Sequence, residues 1–140
     1  MKNIQYFLPE IDSVAQRLLA EIKNHTIVAL IGPLGAGKTT LVSVMLRILG
    51  VIEPVVSPTF TYVNRYKTAD GRSIFHFDLY RLKTIEEFEQ LGFFEYLDQP
   101  NSLVFIEWPE IVLPILQEKV SVLNISSIDE TKRNISYGLR

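Results

Sequence analysis

A buried strand that runs straight into a glycine-rich loop constrains this chain more than any other feature. Residues Thr26-Ile-Val-Ala-Leu-Ile31 form an unbroken β-branched and aliphatic run. With no polar alternation, such a run suits a strand covered on both faces of a parallel sheet. It stops at Gly32, and the segment Gly32-Pro-Leu-Gly-Ala-Gly-Lys-Thr39 follows. Beyond it, Leu41, Val44, Met45, Ile48 and Leu49 recur near helical spacing, with Gly50 as the stop. Strand, loop and amphipathic helix in that order predict an α/β domain.

Gly32, Gly37, Lys38 and Thr39 satisfy the pattern G-x-x-x-x-G-K-[ST]. A loop of this kind turns several backbone N–H groups toward one anion. That needs φ values and a close approach which glycine adopts cheaply. Lys38 is expected to reach the β- and γ-phosphates of ATP, and the Thr39 hydroxyl to ligate Mg²⁺. The helix that starts at the loop adds its N-terminal dipole and free N–H groups. Nucleotide contacts are therefore expected from Gly35, Ala36, Gly37, Lys38, Thr39 and Thr40. The plainer alternative is an ordinary glycine turn. The chain's own residue frequencies give roughly 0.002 chance matches to the pattern, which favours the phosphate loop.

Phosphate loops work with a carboxylate near the metal, carried at the end of a neighbouring buried strand. Two short apolar runs each end in one acid: Ser73-Ile-Phe-His-Phe77 at Asp78, and Ser102-Leu-Val-Phe-Ile106 at Glu107. Strand C-termini are where ligands bind in open α/β sheets. One acid would serve the metal and the other orient the attacking water, and spacing alone does not divide the roles. Either acid could instead cap the following turn. Trp108, the only tryptophan, follows Glu107 and reads first as a core residue, second as a neighbour of the nucleotide. His76 alternates with Asp78 and reads as a satisfied strand histidine rather than a metal ligand. Ser57-Pro58-Thr59 is a candidate switch-like loop near the γ-phosphate.

The remaining chain fills out the architecture. Asp12 or Ser13 is a candidate cap for a helix carrying Val14, Leu18, Leu19 and Ile22. Thr59–Tyr66 and Ser73–Tyr80 flank Asp70-Gly71, a hairpin signal. Residues 86–97 read as helix broken at Gly92, and strands are expected at 101–106, 120–125 and 133–137. The fold class expected is a single P-loop domain over residues 1–140. It would have a mixed, mainly parallel sheet flanked by helices, with an antiparallel hairpin. The 140 residues contain no cysteine, which excludes disulfides and thiolate metal sites. The net charge is −2 with scattered Lys and Arg, which argues against direct wrapping of nucleic acid. The N-terminal residues lack an apolar leader, and no run reaches the ~20 apolar residues of a bilayer span. A cytoplasmic protein is expected. On the residues alone, an ATPase, a small-molecule kinase and a non-hydrolysing nucleotide-sensing module are all open.

Four segments in order then narrow the field: Gly32-Pro-Leu-Gly-Ala-Gly-Lys-Thr-Thr40, Ser57-Pro-Thr-Phe-Thr61, His76-Phe-Asp-Leu-Tyr-Arg81 and Glu107-Trp-Pro-Glu110. Together they resemble the TsaE (YjeE) family, bacterial ATPases required for threonylcarbamoyladenosine modification of tRNAs reading codons that begin with A. The resemblance runs from near Asp12 to near Arg133. It implies Mg-ATP hydrolysis, slow alone and faster with two partner proteins, TsaD and TsaB, whose complex it resets between turnovers. TsaD transfers the threonylcarbamoyl group, and tRNA is met only indirectly. By resemblance Thr39 and Glu107 match the metal-associated positions, Asp78 the acid needed for hydrolysis, and Trp108 a functional aromatic. Arg133 and Ser13 match positions near the nucleotide, Ser13 beside base or ribose. Pro33 stands where many relatives carry an acid; proline removes one N–H, at a position of the loop that tolerates variation.

Overall fold

Apolar runs that alternate sides build one twisted sheet, and the computed structural model describes it through residues 2–22, 25–116 and 120–139. The strands are β1 (Lys2–Phe7), β2 (Ile27–Ile31), β3 (Val63–Lys67), β4 (Ser73–Asp78), β5 (Ser102–Glu107), β6 (Val120–Ser127) and β7 (Lys132–Leu139). The helices are α1 (Ile11–Glu21), α2 (Lys38–Ile48) and α3 (Ile85–Gln90), with short 3₁₀ turns before α1, after α3 and after β5. The seven strands lie in the order β1-β7-β6-β2-β5-β4-β3. The four central strands β6, β2, β5 and β4 are parallel. β7 and β1 extend one side antiparallel, and β3 the other. The mixed, mainly parallel sheet expected from the sequence is the one observed.

Each central strand divides its side chains between two cores. Val28 and Leu30 of β2, with Leu103 and Phe105 of β5, pack under α1 and α2 with Leu18, Leu41 and Met45. Ile27 and Ala29, with Val104 and Ile106, pack on the opposite face with Phe75, Phe77 and Phe88. That division is the period-two geometry of a strand. It explains why the β2 run has no polar residue, since both of its faces are covered.

Several boundaries depart from the sequence expectations. Strand β1, paired with β7 along its whole length, was not expected, because its alternation rests on only two buried residues, Ile4 and Tyr6, between exposed Asn3, Gln5 and Phe7 at a sheet edge. Neither Asp12 nor Ser13 caps α1. A 3₁₀ turn at Leu8–Glu10 places Glu10 at the cap position, and the Glu10 carboxylate accepts from the Phe7 N–H at 2.8 Å. The middle hairpin is shorter than its composition suggests. Residues 59–61 form a turn in which the Tyr62 N–H donates to Pro58 O at 2.8 Å, and Tyr62 adopts φ 67°. Gly92, at φ 74°, separates α3 from the 3₁₀ turn Phe93–Tyr96. Among the described residues no helix is long and apolar enough to cross a membrane.

Candidate functional site

The loop between β2 and α2 owes its shape to two glycines. At Gly32 a Cβ would come within 2.5 Å of the Ile125 carbonyl oxygen, so only glycine lets the chain pass β6. Gly37 takes φ 103° immediately before the helix, in open space. The first backbone bond into α2 runs from the Leu41 N–H to Gly37 O. The N–H groups of residues 37–40 precede it and find no backbone acceptor among the described residues. They form the positive end of the helix. The Pro33 carbonyl closes the loop by accepting from the Ala36 N–H at 3.2 Å.

Two strand ends bring acids to this loop. β4 and β5 are register neighbours at Asp78 and Glu107, and β2 ends beside them. The Glu107 carboxylate is 2% exposed. It accepts from the Thr39 hydroxyl at 2.8 and 3.0 Å and lies 2.5 Å from His76 Nε2. Asp78 accepts from the Tyr80 N–H at 3.0 Å, and its other oxygen has no hydrogen-bond partner among the described residues. Lys38 is 5% exposed. Its ammonium donates to Gly32 O and stands 3.4 Å from the centre of the Trp108 ring. Burial lowers the Lys38 pKa, while Glu107, Glu110 and Asp78 act in the opposite direction. Trp108 holds φ 55° just before Pro109, a conformation costing roughly 1–3 kcal/mol in a non-glycine residue. Its ring packs on Tyr80 at 4.8 Å.

These groups converge on a cavity of about 310 Å³, lined by residues 34–40 with Ser57, Thr59, Asp78, Glu107 and Trp108. Lys38, Thr39, Asp78, Glu107 and Trp108, read from separate segments, thus line one space, as does the 57–59 loop. A second cavity of about 260 Å³ lies on the other side of residues 35–37, walled by Tyr6, Leu8, Ile11, Thr40 and Arg133. Arg133 Nε donates to Ala36 O at 3.3 Å, so this side chain ties β7 to the loop. Ser13 lines neither cavity; its hydroxyl donates to Glu10 O at 2.9 Å on the exposed first turn of α1. Sequence reasoning missed Tyr6, Leu8 and Ile11, which carry no motif and meet the loop only through the β1–β7 pairing. It also left the His76–Glu107 contact undrawn, although the alternation of His76 with Asp78 was its signal.

Could these residues hold a metal-bound nucleotide? The donor set fits. Thr39 and Glu107 supply hard oxygen ligands, of the kind Mg²⁺ takes in small number while leaving places for water and phosphate. Their mutual hydrogen bond already brings the two oxygens together beside the free N–H groups. No cluster of three or more His, Asp or Glu capable of holding an ion by itself exists among the described residues.

A central strand, a glycine loop and a helix N-terminus facing strand-end acids define a P-loop α/β protein. Comparison with known proteins takes this further. The family described as "Threonylcarbamoyl adenosine biosynthesis protein TsaE" matches residues 8–135. Its relative from Haemophilus influenzae, tRNA threonylcarbamoyladenosine biosynthesis protein TsaE, is 41% identical, over 96% of this chain and 89% of that protein. The protein of the same name from Rickettsia felis is 39% identical, over 89% of this chain and 71% of that protein. The crystal structure of YdiB from Bacillus subtilis shares the fold, with a TM-score of 0.71 at 24% identity, covering 97% of this chain and 84% of that one. The chain belongs to the TsaE family, which takes part in threonylcarbamoyladenosine biosynthesis in tRNA.

Proposed function

We propose that residues 1–140 act as a single P-loop ATPase domain in the cytoplasm. In this reading the protein hydrolyses Mg-ATP to drive the cycle of the TsaD–TsaB complex during threonylcarbamoyladenosine modification of tRNA. The observation that carries it is the convergence of Lys38, Thr39, Asp78 and Glu107 on one cavity beside unbonded helix N–H groups. A protein that only bound phosphate would have no use for a second acid whose carboxylate keeps a free oxygen.

The residues divide the work as follows. The unbonded N–H groups of residues 37–40 receive the phosphates. Lys38 leaves Gly32 O and the Trp108 face to reach the phosphate oxygens, exchanging one neutral acceptor for charged ones. Thr39 and Glu107 would hold a Mg²⁺ ion, which would supply charge neutralisation at the phosphate oxygens. Asp78 orients the attacking water through its unbonded oxygen. Tyr6, Leu8 and Ile11 give the base an apolar wall, with Arg133 beside it. Trp108 closes the cavity over Lys38.

The test is Mg-ATP hydrolysis by the purified protein, alone and with TsaD and TsaB. The expected result is slow turnover alone, clear stimulation by the pair, and loss of turnover in Asp78→Asn with nucleotide binding retained. Tight binding without stimulation would sink the ATPase assignment. Phosphate transfer to a nucleoside or small metabolite would replace it with a kinase.

A further inference from the structure

Among the groups that face the cavity from behind, one has no role in the scheme above. His76 is completely buried, on the face of β4 that carries Asp78 and Ile74. It reaches one carboxylate oxygen of Glu107 at 2.5 Å, and both side chains are shut off from solvent. Its other ring nitrogen, Nδ1, has no hydrogen-bond partner among the described residues. A polar side chain is costly to bury and is kept where a partner compensates for it. Here a single partner does so, and that partner is an acid beside Thr39.

We infer that His76 is a positioning residue for the metal: it fixes the Glu107 carboxylate so that this group faces the Thr39 hydroxyl. The inference rests on the Mg-nucleotide reading of the site. A carboxylate at a strand end can turn about its last two bonds, and each orientation sends its oxygens to different places. The Nε2–H of His76 binds one oxygen from the buried side. The Thr39 hydroxyl, donating at 2.8 and 3.0 Å, then meets the carboxylate from the loop side. The imidazole, the carboxylate and the hydroxyl thus form one chain from the sheet interior to the start of α2. This tautomer leaves Nδ1 as a lone-pair acceptor, so the buried ring has no orphaned N–H. Groups that orient a metal ligand in this way typically change metal affinity by about 10–100-fold when removed.

The arrangement separates two contributions to nucleotide affinity. Lys38 and the loop N–H groups bind phosphate with or without metal. The chain from His76 through Glu107 to Thr39 acts only when the metal is present. The experiment measures the affinity of the full-length protein for ATP, with Mg²⁺ and with EDTA, in four forms: wild type, His76→Leu, His76→Gln and His76→Asn. In His76→Leu the gain from Mg²⁺ is expected to fall by about tenfold or more, with affinity in EDTA unchanged within about twofold. Glutamine places an N–H donor where Nε2 stands and is expected to recover most of the gain. Asparagine places its donor nearer the Nδ1 position, short of Glu107, and is expected to behave like leucine.

An unchanged Mg²⁺ gain in His76→Leu, or equal gains for the glutamine and asparagine variants, would overturn the inference. A loss of the same size in EDTA would overturn it too, by making His76 a general packing residue. If leucine prevents folding, the glutamine–asparagine comparison decides alone. If wild type itself shows no Mg²⁺-dependent gain, it is the Mg-nucleotide reading that fails, and the inference fails with it.

Discussion

The two faces of β4 show opposite ways of filling a protein interior. Phe75 and Phe77 point into an aromatic layer. The Phe77 ring lies 5.9 Å from Phe88, 5.4 Å from Phe93 and 6.0 Å from Tyr96. Between and after them, His76 and Asp78 point to the cavity face, where their neighbours are Glu107, Thr39 and Lys38. The aromatic side gains from burial and ring contacts, which depend weakly on direction. The cavity side holds ionisable groups in low-exposure positions, where each relies on one or two directed partners. One strand therefore packs an aromatic core through alternate residues and lines the polar cavity side through the others. A change on one face should be nearly silent in the other's readout.

The largest effect expected is on the aromatic side. Phe88 is fully buried and also meets Phe93 at 5.4 Å and Phe94 at 5.0 Å. Phe88→Ala should cost about 3–5 kcal/mol of folding stability, measured by urea unfolding. ATP affinity of the molecules still folded should stay within about threefold. A large affinity loss in folded protein would mean that the two faces are mechanically coupled. Lys38→Ala is the converse. Losing charge-assisted bonds to phosphate should weaken ATP binding by about 100-fold, taking ~1.5–3 kcal/mol per bond, in calorimetry or competition binding. Its unfolding midpoint should move little, because the ammonium is itself desolvated in the free protein. Unchanged affinity would remove the loop from the binding site.

The same contrast explains what could be read from the sequence. The phosphate loop was legible because its chemistry dictates residue types at fixed spacing: glycine where β6 crowds the backbone, then lysine and a hydroxyl. Asp78 and Glu107 were legible because an acid ending an apolar run is conspicuous. Unbroken apolar runs also placed the central strands of the sheet. What stayed hidden depends on distant pairing. Strand β1 contributes Tyr6 to the second cavity only by pairing with β7, a contact between the two ends of the chain. The Glu10 cap and the Tyr62 turn were lost to local competition, in which a 3₁₀ turn and a positive φ overrode the composition. Ser13 is a separate case: resemblance points it toward the nucleotide, and in the structure its hydroxyl donates to Glu10 O at the helix start.

A smaller effect should appear with pH. Burial holds the Lys38 pKa below its ordinary 10.5 in the free protein. Phosphate oxygens favour the ammonium and raise it in the complex. Affinity is then at its full value below the free-protein pKa. It declines as pH rises through that value toward the pKa of the complex, by at most about tenfold per pH unit. For stability of the free protein the sign is reversed. The unfolded chain keeps its proton up to the ordinary value, so over the same window Lys38 makes folding more favourable as pH rises. The check is the ATP dissociation constant across the alkaline range, with Lys38→Ala as reference. A decline of equal slope in that variant would assign the effect to another group.

The smallest effect should come from Trp108, because its ring serves the site in both states. In the free protein it faces the Lys38 ammonium at 3.4 Å, a contact worth about 0.5–2 kcal/mol. When Lys38 turns to phosphate that contact weakens, while the ring still walls the cavity. Trp108→Leu removes both contributions, and they oppose each other in the binding equilibrium. The expected change in ATP affinity is therefore no more than about fivefold, within the ~1 kcal/mol left after the cancellation. Fluorescence gives the sharper readout, since Trp108 is the chain's only tryptophan. Its emission should change on ATP binding in wild type, as the cation leaves the ring face, and the change should shrink in Lys38→Ala at saturating ATP. If the signal survives at full size without Lys38, the ring is responding to the nucleotide itself. The cation contact would then be incidental, and Trp108 would belong with the binding surface rather than with the lysine.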